Sequence, residues 1–259
     1  MKVMEANRTA IYSILARIFG QLGVRPSIAE VGVLSGNNAK ILFDAFNPEK
    51  MFLIDAWSAE VCFTEYQLIN AHRKWVDHPS EYAAYFGGPV EEQSTFDALL
   101  EEARSKFSDK PNVEFLRSNS LDGFNELKNK GIKDFHLIYV DANHHYEKVL
   151  DDLMYYSELL HPELGCLQLN DCCHSEAGVK QNLGVLEAAN KFCKMKDFVP
   201  VLAINRNFTD VLLAPRKSPM VNNISIVVES NNIVFVEVPN ELFANMSVKV
   251  GKRPNISFM

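Results

Sequence analysis

The chain has 259 residues, 47% hydrophobic and 23% charged, with 12 Gly and 11 Pro. That balance excludes a disordered or collagen-like polymer and predicts one large globular domain or a core domain with an appendage. Its 26 basic and 33 acidic side chains leave a formal net charge of −7, a poor footing for duplex nucleic acid, which demands a basic face.

The first residues carry Glu5 and Arg17 inside an apolar pattern and show no small-residue cleavage site, so no signal peptide is predicted. Ile11, Leu15, Ile18, Phe19 and Leu22 share one helical face, with Gly23 as C-cap. From there to about residue 215, short apolar runs alternate with helix-period stretches, the pattern of βαβ units and a parallel sheet. Strand 27–33 leads to helix 37–46, which Pro48 stops, and strand 51–57 follows. Residues 58–94 break the rhythm with Phe63, Tyr66, Trp75, Tyr82, Tyr85, Phe86 and a Gly87-Gly88-Pro89 breaker. An insertion of this length is expected to line or cap a binding site.

The rhythm resumes with helix 96–107, strand 112–120, helix 121–130, strand 134–142, helix 146–160, strand 165–171 and helix 176–195. Runs 199–205 and 208–215, joined at Arg206-Asn207, are predicted to close the sheet as an antiparallel pair. The expected fold is therefore α/β, a doubly wound and mostly parallel seven-stranded sheet occupying residues 1–217. From Pro219 the pattern turns to β alone. Runs 224–229 and 233–238 flank Ser230-Asn231-Asn232, predicting a β-hairpin extension over 218–259 whose edges would be safer paired, as in an oligomer contact. No apolar run reaches the ~18 residues of a bilayer span. Five cysteines in a chain too long to need staples read as reduced thiols of a cytoplasmic protein. Asn-X-Ser/Thr matches at Asn7, Asn207, Asn223, Asn245 and Asn255 are then chance.

Three groups of residues carry chemistry. The run Glu30-Val31-Gly32-Val33-Leu34-Ser35-Gly36 places glycines at a strand-to-helix turn, where backbone can approach a ligand closely. The third glycine of a dinucleotide fingerprint is absent, and Glu30 would repel a pyrophosphate but suit an amine or sulfonium. Asp55 ends the next strand, where an acid either accepts from a ribose diol or caps a helix, and Trp57 either stacks on a base or packs. The third group is Asp141-Ala142-Asn143-His144-His145-Tyr146, with Asn170-Asp171 at the tip of the neighbouring strand. Asp141, Asn170 and Asp171 are oxygen donors of the kind Mg²⁺ prefers, and His144 can accept a proton near neutral pH. The Cys172-Cys173-His174 run lacks zinc-site spacing and reads as incidental.

The succession E-V-G-x-x-x-G, I-D-A-W, I-Y-V-D-A-N-H-H-Y and L-x-L-N-D resembles class I S-adenosylmethionine-dependent methyltransferases over about residues 25–215. It looks closest to the macrocin-type and cephalosporin-pathway O-methyltransferase branch, whose typical string is D-G-x-H-x-Y; here Ala142 stands at the glycine. The resemblance implies that Glu30, Gly32 and Gly36 border the methionine end of the cofactor. It further implies that Asp55 with Ala56 holds the ribose, that Ser118 to Ser120 lie near the adenine, and that Asp141 faces the cofactor. It implies a divalent metal, such as Mg²⁺, on Asp141, Asn170 and Asp171, and a small hydroxylated acceptor as substrate, with neither nucleic acid nor membrane as partner. In this reading Asp141 and His144 are catalytic. Two rivals stay open: a metal-independent methyltransferase with His144 as base, and a non-catalytic protein that binds an adenosine cofactor.

Overall fold

The computed structural model of the chain describes residues 1–206, 208–250 and 254–258; Asn207, with its glycosylation match and its place in the 206–207 link, lies outside them. Among the described residues, eleven strands and ten α-helices follow in chain order. The first third holds β1 (Lys2–Met4), α1 (Thr9–Gln21), β2 (Ser27–Val31), α2 (Asn37–Phe46), β3 (Lys50–Asp55), α3 (Ala59–Ile69), α4 (Ala83–Phe86) and α5 (Gln93–Ser105). The middle holds β4 (Val113–Arg117), α6 (Ser120–Asn129), β5 (Leu137–Val140), α7 (Tyr146–Tyr156), β6 (Cys166–Leu169), α8 (Glu176–Gln181) and α9 (Val185–Lys196). The last part holds β7 (Phe198–Ile204), β8 (Val211–Pro215), α10 (Pro219–Ser230), β9 (Phe235–Glu237), β10 (Ser247–Val250) and β11 (Pro254–Ser257).

Nine strands form one sheet in the order β4-β3-β2-β5-β6-β8-β7-β1-β9. The run from β4 to β6 is parallel throughout, and β8 is antiparallel to both β6 and β7, as expected. Central strands β5 and β6 are buried at every position, because helices cover both faces of a parallel sheet. One apolar layer joins α1, α2, α5 and α10 to the sheet, and the other joins α6, α7 and α9. Successive strands leave β2 toward β3 on one side and return to β5 on the other. That reversal opens a crevice at the carboxyl ends of the strands.

The sheet has nine strands rather than seven because β1 and β9 extend it beyond β7. Three-residue strands leave no periodic trace in sequence. The strand expected at 224–229 is instead the second half of α10. Pro219 opens this helix, the Ser218 hydroxyl accepts from the Met220 N–H at 3.0 Å, and the buried Met220, Ile224, Val227 and Val228 recur at helical spacing. The β-branched run pointed to a strand; packing of that face onto α1 overrides it. The helix expected over 176–195 breaks at Asn182 and Gly184. A Cβ on Gly184 would stand 2.6 Å from that of Tyr146, so the break lets α9 begin hard against the start of α7.

Candidate active site

The crevice holds a cavity of about 630 Å³, lined by Glu30, Gly32, Asp55, Ala56, Ser118, Ser120, Asp141 and His144, together with Arg8, Asn38, Glu65 and Tyr85. Most of the predicted donor-site residues therefore meet in one place. Gly36 is the exception: it caps α2 at φ +77° and abuts Ala103 of α5, where an added Cβ would lie 3.1 Å from the alanine Cβ. Its conformation shapes the turn, and it does not line the cavity.

Gly32 serves a structural purpose as well. At φ +89°, a Cβ there would fall 2.1 Å from the Asp141 carbonyl oxygen, so only glycine lets the ends of β2 and β5 close on each other. Asp55 holds the neighbouring turn. One carboxylate oxygen accepts from the Val33 and Leu34 N–H groups at 2.8 and 2.9 Å, the other from the Trp57 N–H at 2.8 Å. A carboxylate has about four acceptor positions, so one is left for a ligand hydroxyl. The Trp57 indole is buried and donates to the Leu34 carbonyl at 2.8 Å, which settles it as packing.

Glu30 lies 1% exposed on the cavity floor. One oxygen accepts from the Asn38 side chain at 2.8 Å, while the other is buried without a partner. Burial pushes its carboxyl well above the usual carboxylate range. The Ser118 hydroxyl is also buried and unpartnered. Orphaned polar atoms facing a cavity are what a bound polar ligand would satisfy.

At the other end, His144 stands between two acids. Its Nε2 is 3.1 Å from Asp141 Oδ1, and its Nδ1 is 3.5 Å from Asp171 Oδ2. Burial works against a charged imidazole, but the Asp141 hydrogen bond and the charges of Asp141 and Asp171 outweigh it and hold the pKa above the ordinary histidine value. Burial raises the Asp171 carboxyl, and His144 offsets part of that rise. The sequence reading missed the cation that completes this network. Arg8 donates to Asn170 Oδ1 at 2.9 Å, Asn170 donates to Asp141 Oδ1 at 3.0 Å, and Arg8 Nε lies 3.4 Å from Asp210. Asp210 in turn accepts from Tyr139 at 3.2 Å and Gln168 at 2.8 Å. Arg8 belongs to no motif, and its distance in sequence hides it.

These contacts do not fit the predicted metal site. The amide N–H of Asn170 points at Asp141, its oxygen is engaged by a guanidinium, and an imidazole fills the space between the two carboxylates. Among the described residues no group of three or more His, Cys, Asp or Glu side chains is arranged to hold a metal ion. The Mg²⁺ assignment to Asp141, Asn170 and Asp171 finds no support in this arrangement: strand-tip position alone does not turn three oxygens toward one point. Cys62, Cys166, Cys172 and Cys193 are free thiols.

A second cavity of about 320 Å³ adjoins the first and shares Leu34, Asp55, Ala56, Val61, Glu65 and His144 with it. The 58–94 insertion forms most of its wall through Cys62, Tyr66, Val76, Asp77, Tyr82 and Phe86. Side-chain bonds tie the insertion to the site: Asn70 to His145, Asn182 to Asn70 at 2.8 Å, and Asn143 to Glu65. His145 thus anchors the insertion.

No protein-family model matches the chain, and no curated protein matches it in sequence. Solved structures do match. An O-methyltransferase from Bacillus cereus, in complex with SAH, superposes with a TM-score of 0.51 at 14% identity over 82% of this chain and 83% of that one. A Staphylococcus aureus protein assigned as a caffeoyl-CoA O-methyltransferase gives 0.50 at 11% identity, over 81% and 85%. The chain has the Rossmann-like α/β fold of class I methyltransferases. No described helix is long and apolar enough to cross a membrane.

Proposed function

We propose that the protein is an S-adenosylmethionine-dependent O-methyltransferase in which His144 is the base that activates a hydroxyl of a small acceptor. One observation carries this reading: two adjoining cavities, one lined by the orphaned Glu30 and Ser118 atoms and the other by aromatic rings, meet at a single imidazole held by carboxylates. S-adenosylmethionine supplies an electrophilic sulfonium methyl. Glu30 suits its positive end, and Ser118, Ser120 and Ala56 suit its nucleoside. Gly32 and Gly36 shape the turns around it. The resemblance of the Asp141–Tyr146 string to the macrocin-type branch supports the O-methyl assignment.

The chemistry asked of this chain is alignment and proton removal. Above its raised pKa the imidazole is neutral and, with Nε2–H shared with Asp141, keeps the Nδ1 lone pair, and 3.5 Å to Asp171 is too long for a strong hydrogen bond. His144 takes the hydroxyl proton there as the acceptor oxygen bonds to the methyl carbon and the sulfur–methyl bond breaks. The imidazolium that results is stabilised on both sides by Asp141 and Asp171. Asp141 thus orients the base, and Arg8 and Asn170 orient Asp141.

The test is titration with S-adenosylhomocysteine, followed by methyl transfer from labelled donor to a panel of phenols and sugars. His144→Ala is expected to lower kcat by roughly 10²–10⁴-fold with donor affinity unchanged, and Asp141→Ala to lower it by no more than that. Excess chelator is expected to leave the rate intact, and a chelator-sensitive rate restored by Mg²⁺ would return the metal to the mechanism. Donor binding with no product from any acceptor would favour the non-catalytic reading.

A further inference from the structure

The second cavity is lined by the aromatic residues Tyr66, Tyr82, Phe86 and Phe96, yet by neither Lys nor Arg. Its volume of about 320 Å³ equals roughly ten water molecules at ~30 Å³ each, the scale of one substituted ring. The amides and His145 at its rim are spent on one another. Asn70 is bonded to His145 and Asn182, and Asn143 to Glu65 and the His145 N–H. A sugar would present a ring of hydroxyls to a wall with few free partners, at a cost for each one left unpaired. A flat aromatic ring asks for no such partners.

Charge sharpens the choice. Glu65 is offset by Lys148 at 3.4 Å, and Asp55 by backbone amides. Asp77 accepts only the Tyr82 hydroxyl, at 2.9 Å, and has no ion pair among the described residues. A carboxylate without an ion pair, held beside a tyrosine in an aromatic pocket, is a setting in which an ammonium group binds, through both the charge and the ring quadrupoles. It is equally a setting that repels a carboxylate or phosphate.

Resting on the methyltransferase reading of the adjoining site, we propose that the acceptor is a single-ring phenolic amine, its ring among the aromatics, its ammonium at Asp77 and its hydroxyl at His144. The same carboxylates disfavour coenzyme A thioesters, sugar phosphates and aromatic acids.

The test measures equilibrium binding by calorimetry, with and without S-adenosylhomocysteine, for four probes: tyramine, the neutral 4-ethylphenol, the anionic 3-(4-hydroxyphenyl)propionate and methyl glucoside. Tyramine is expected to bind at least tenfold more tightly than 4-ethylphenol and the anion weakest of the phenols, with no saturation by the glucoside. Asp77→Asn should bring the tyramine to 4-ethylphenol ratio close to one while leaving S-adenosylhomocysteine affinity unchanged. The proposal is overturned if the anion binds as well as tyramine, if the glucoside saturates, or if the tyramine preference survives Asp77→Asn. Failure of the underlying reading looks different: tyramine binds with the stated preference, but no methyl group reaches it.

Discussion

The crevice has two walls of different make. The sheet-side wall is built from strand tips, where Glu30, Asp55 and Asp141 are held by backbone amides, buried side chains and one glycine contact with no room for a methyl group. The wall from the insertion is aromatic and is tied to the site through a few side-chain bonds, chiefly Asn70 to His145 and Asn143 to Glu65. Where the chain must place charge within tenths of an ångström, it uses the rigid sheet. Where it must only offer a surface of the right chemistry, it uses helices that are docked on top. A wall of the second kind can be exchanged without disturbing the first.

The largest expected effect tests the rigidity of the sheet-side wall. Gly32→Ala brings a Cβ to 2.1 Å from the Asp141 carbonyl in a left-handed backbone. We expect a loss of about 3 kcal/mol or more in urea unfolding; near-normal stability would mean that β2 and β5 approach loosely. Glu30→Ala should follow, lowering S-adenosylhomocysteine affinity about tenfold, the size of one charge-assisted hydrogen bond, without moving the urea midpoint by a comparable amount. Unchanged donor affinity would take Glu30 out of the donor site. On the other wall, Asn70→Ala should raise the acceptor KM severalfold while kcat for saturating acceptor stays near normal. A collapse of kcat instead would show the two walls to be one unit.

A separate effect concerns pH. Burial pushes Asp152 up to about 7, against about 3.9 for an unfolded chain. A carboxyl whose folded pKa is raised favours folding most fully below the unfolded value, and that contribution is lost as pH rises toward 7. Asp152→Asn should therefore flatten the decline in thermal midpoint between about pH 4 and 7. An unaltered slope would assign the decline to Asp210, which burial lifts to about 6.

The sheet-side wall was legible in the sequence because its determinants are local. Apolar runs ending in Gly32, Asp55, Asp141 and Asn170-Asp171 announce strand tips, and tips of adjacent parallel strands must converge. What escaped were relations that no short window contains. Arg8 reaches Asn170 across 162 positions, and His144 rather than an ion fills the gap between Asp141 and Asp171. The role of His145 depends on Asn70, in a segment whose shape has no sequence period. The error at 224–229 has a different origin: Ile224, Ile226, Val227 and Val228 favour strands in isolation, and the contact with α1 decides for a helix.

Strand β1 has a further consequence for how the molecule assembles. Its three residues pair with β7 through Lys2↔Leu202 and with β9 through Lys2↔Glu237. These links between segments far apart in sequence are entropically expensive to close early. We therefore expect β1 to dock late in folding, and with it the guanidinium a few residues downstream. Until that step the imidazole at the centre lacks its full electrostatic frame, so catalytic competence should lag behind the recovery of helical signal in a refolding experiment.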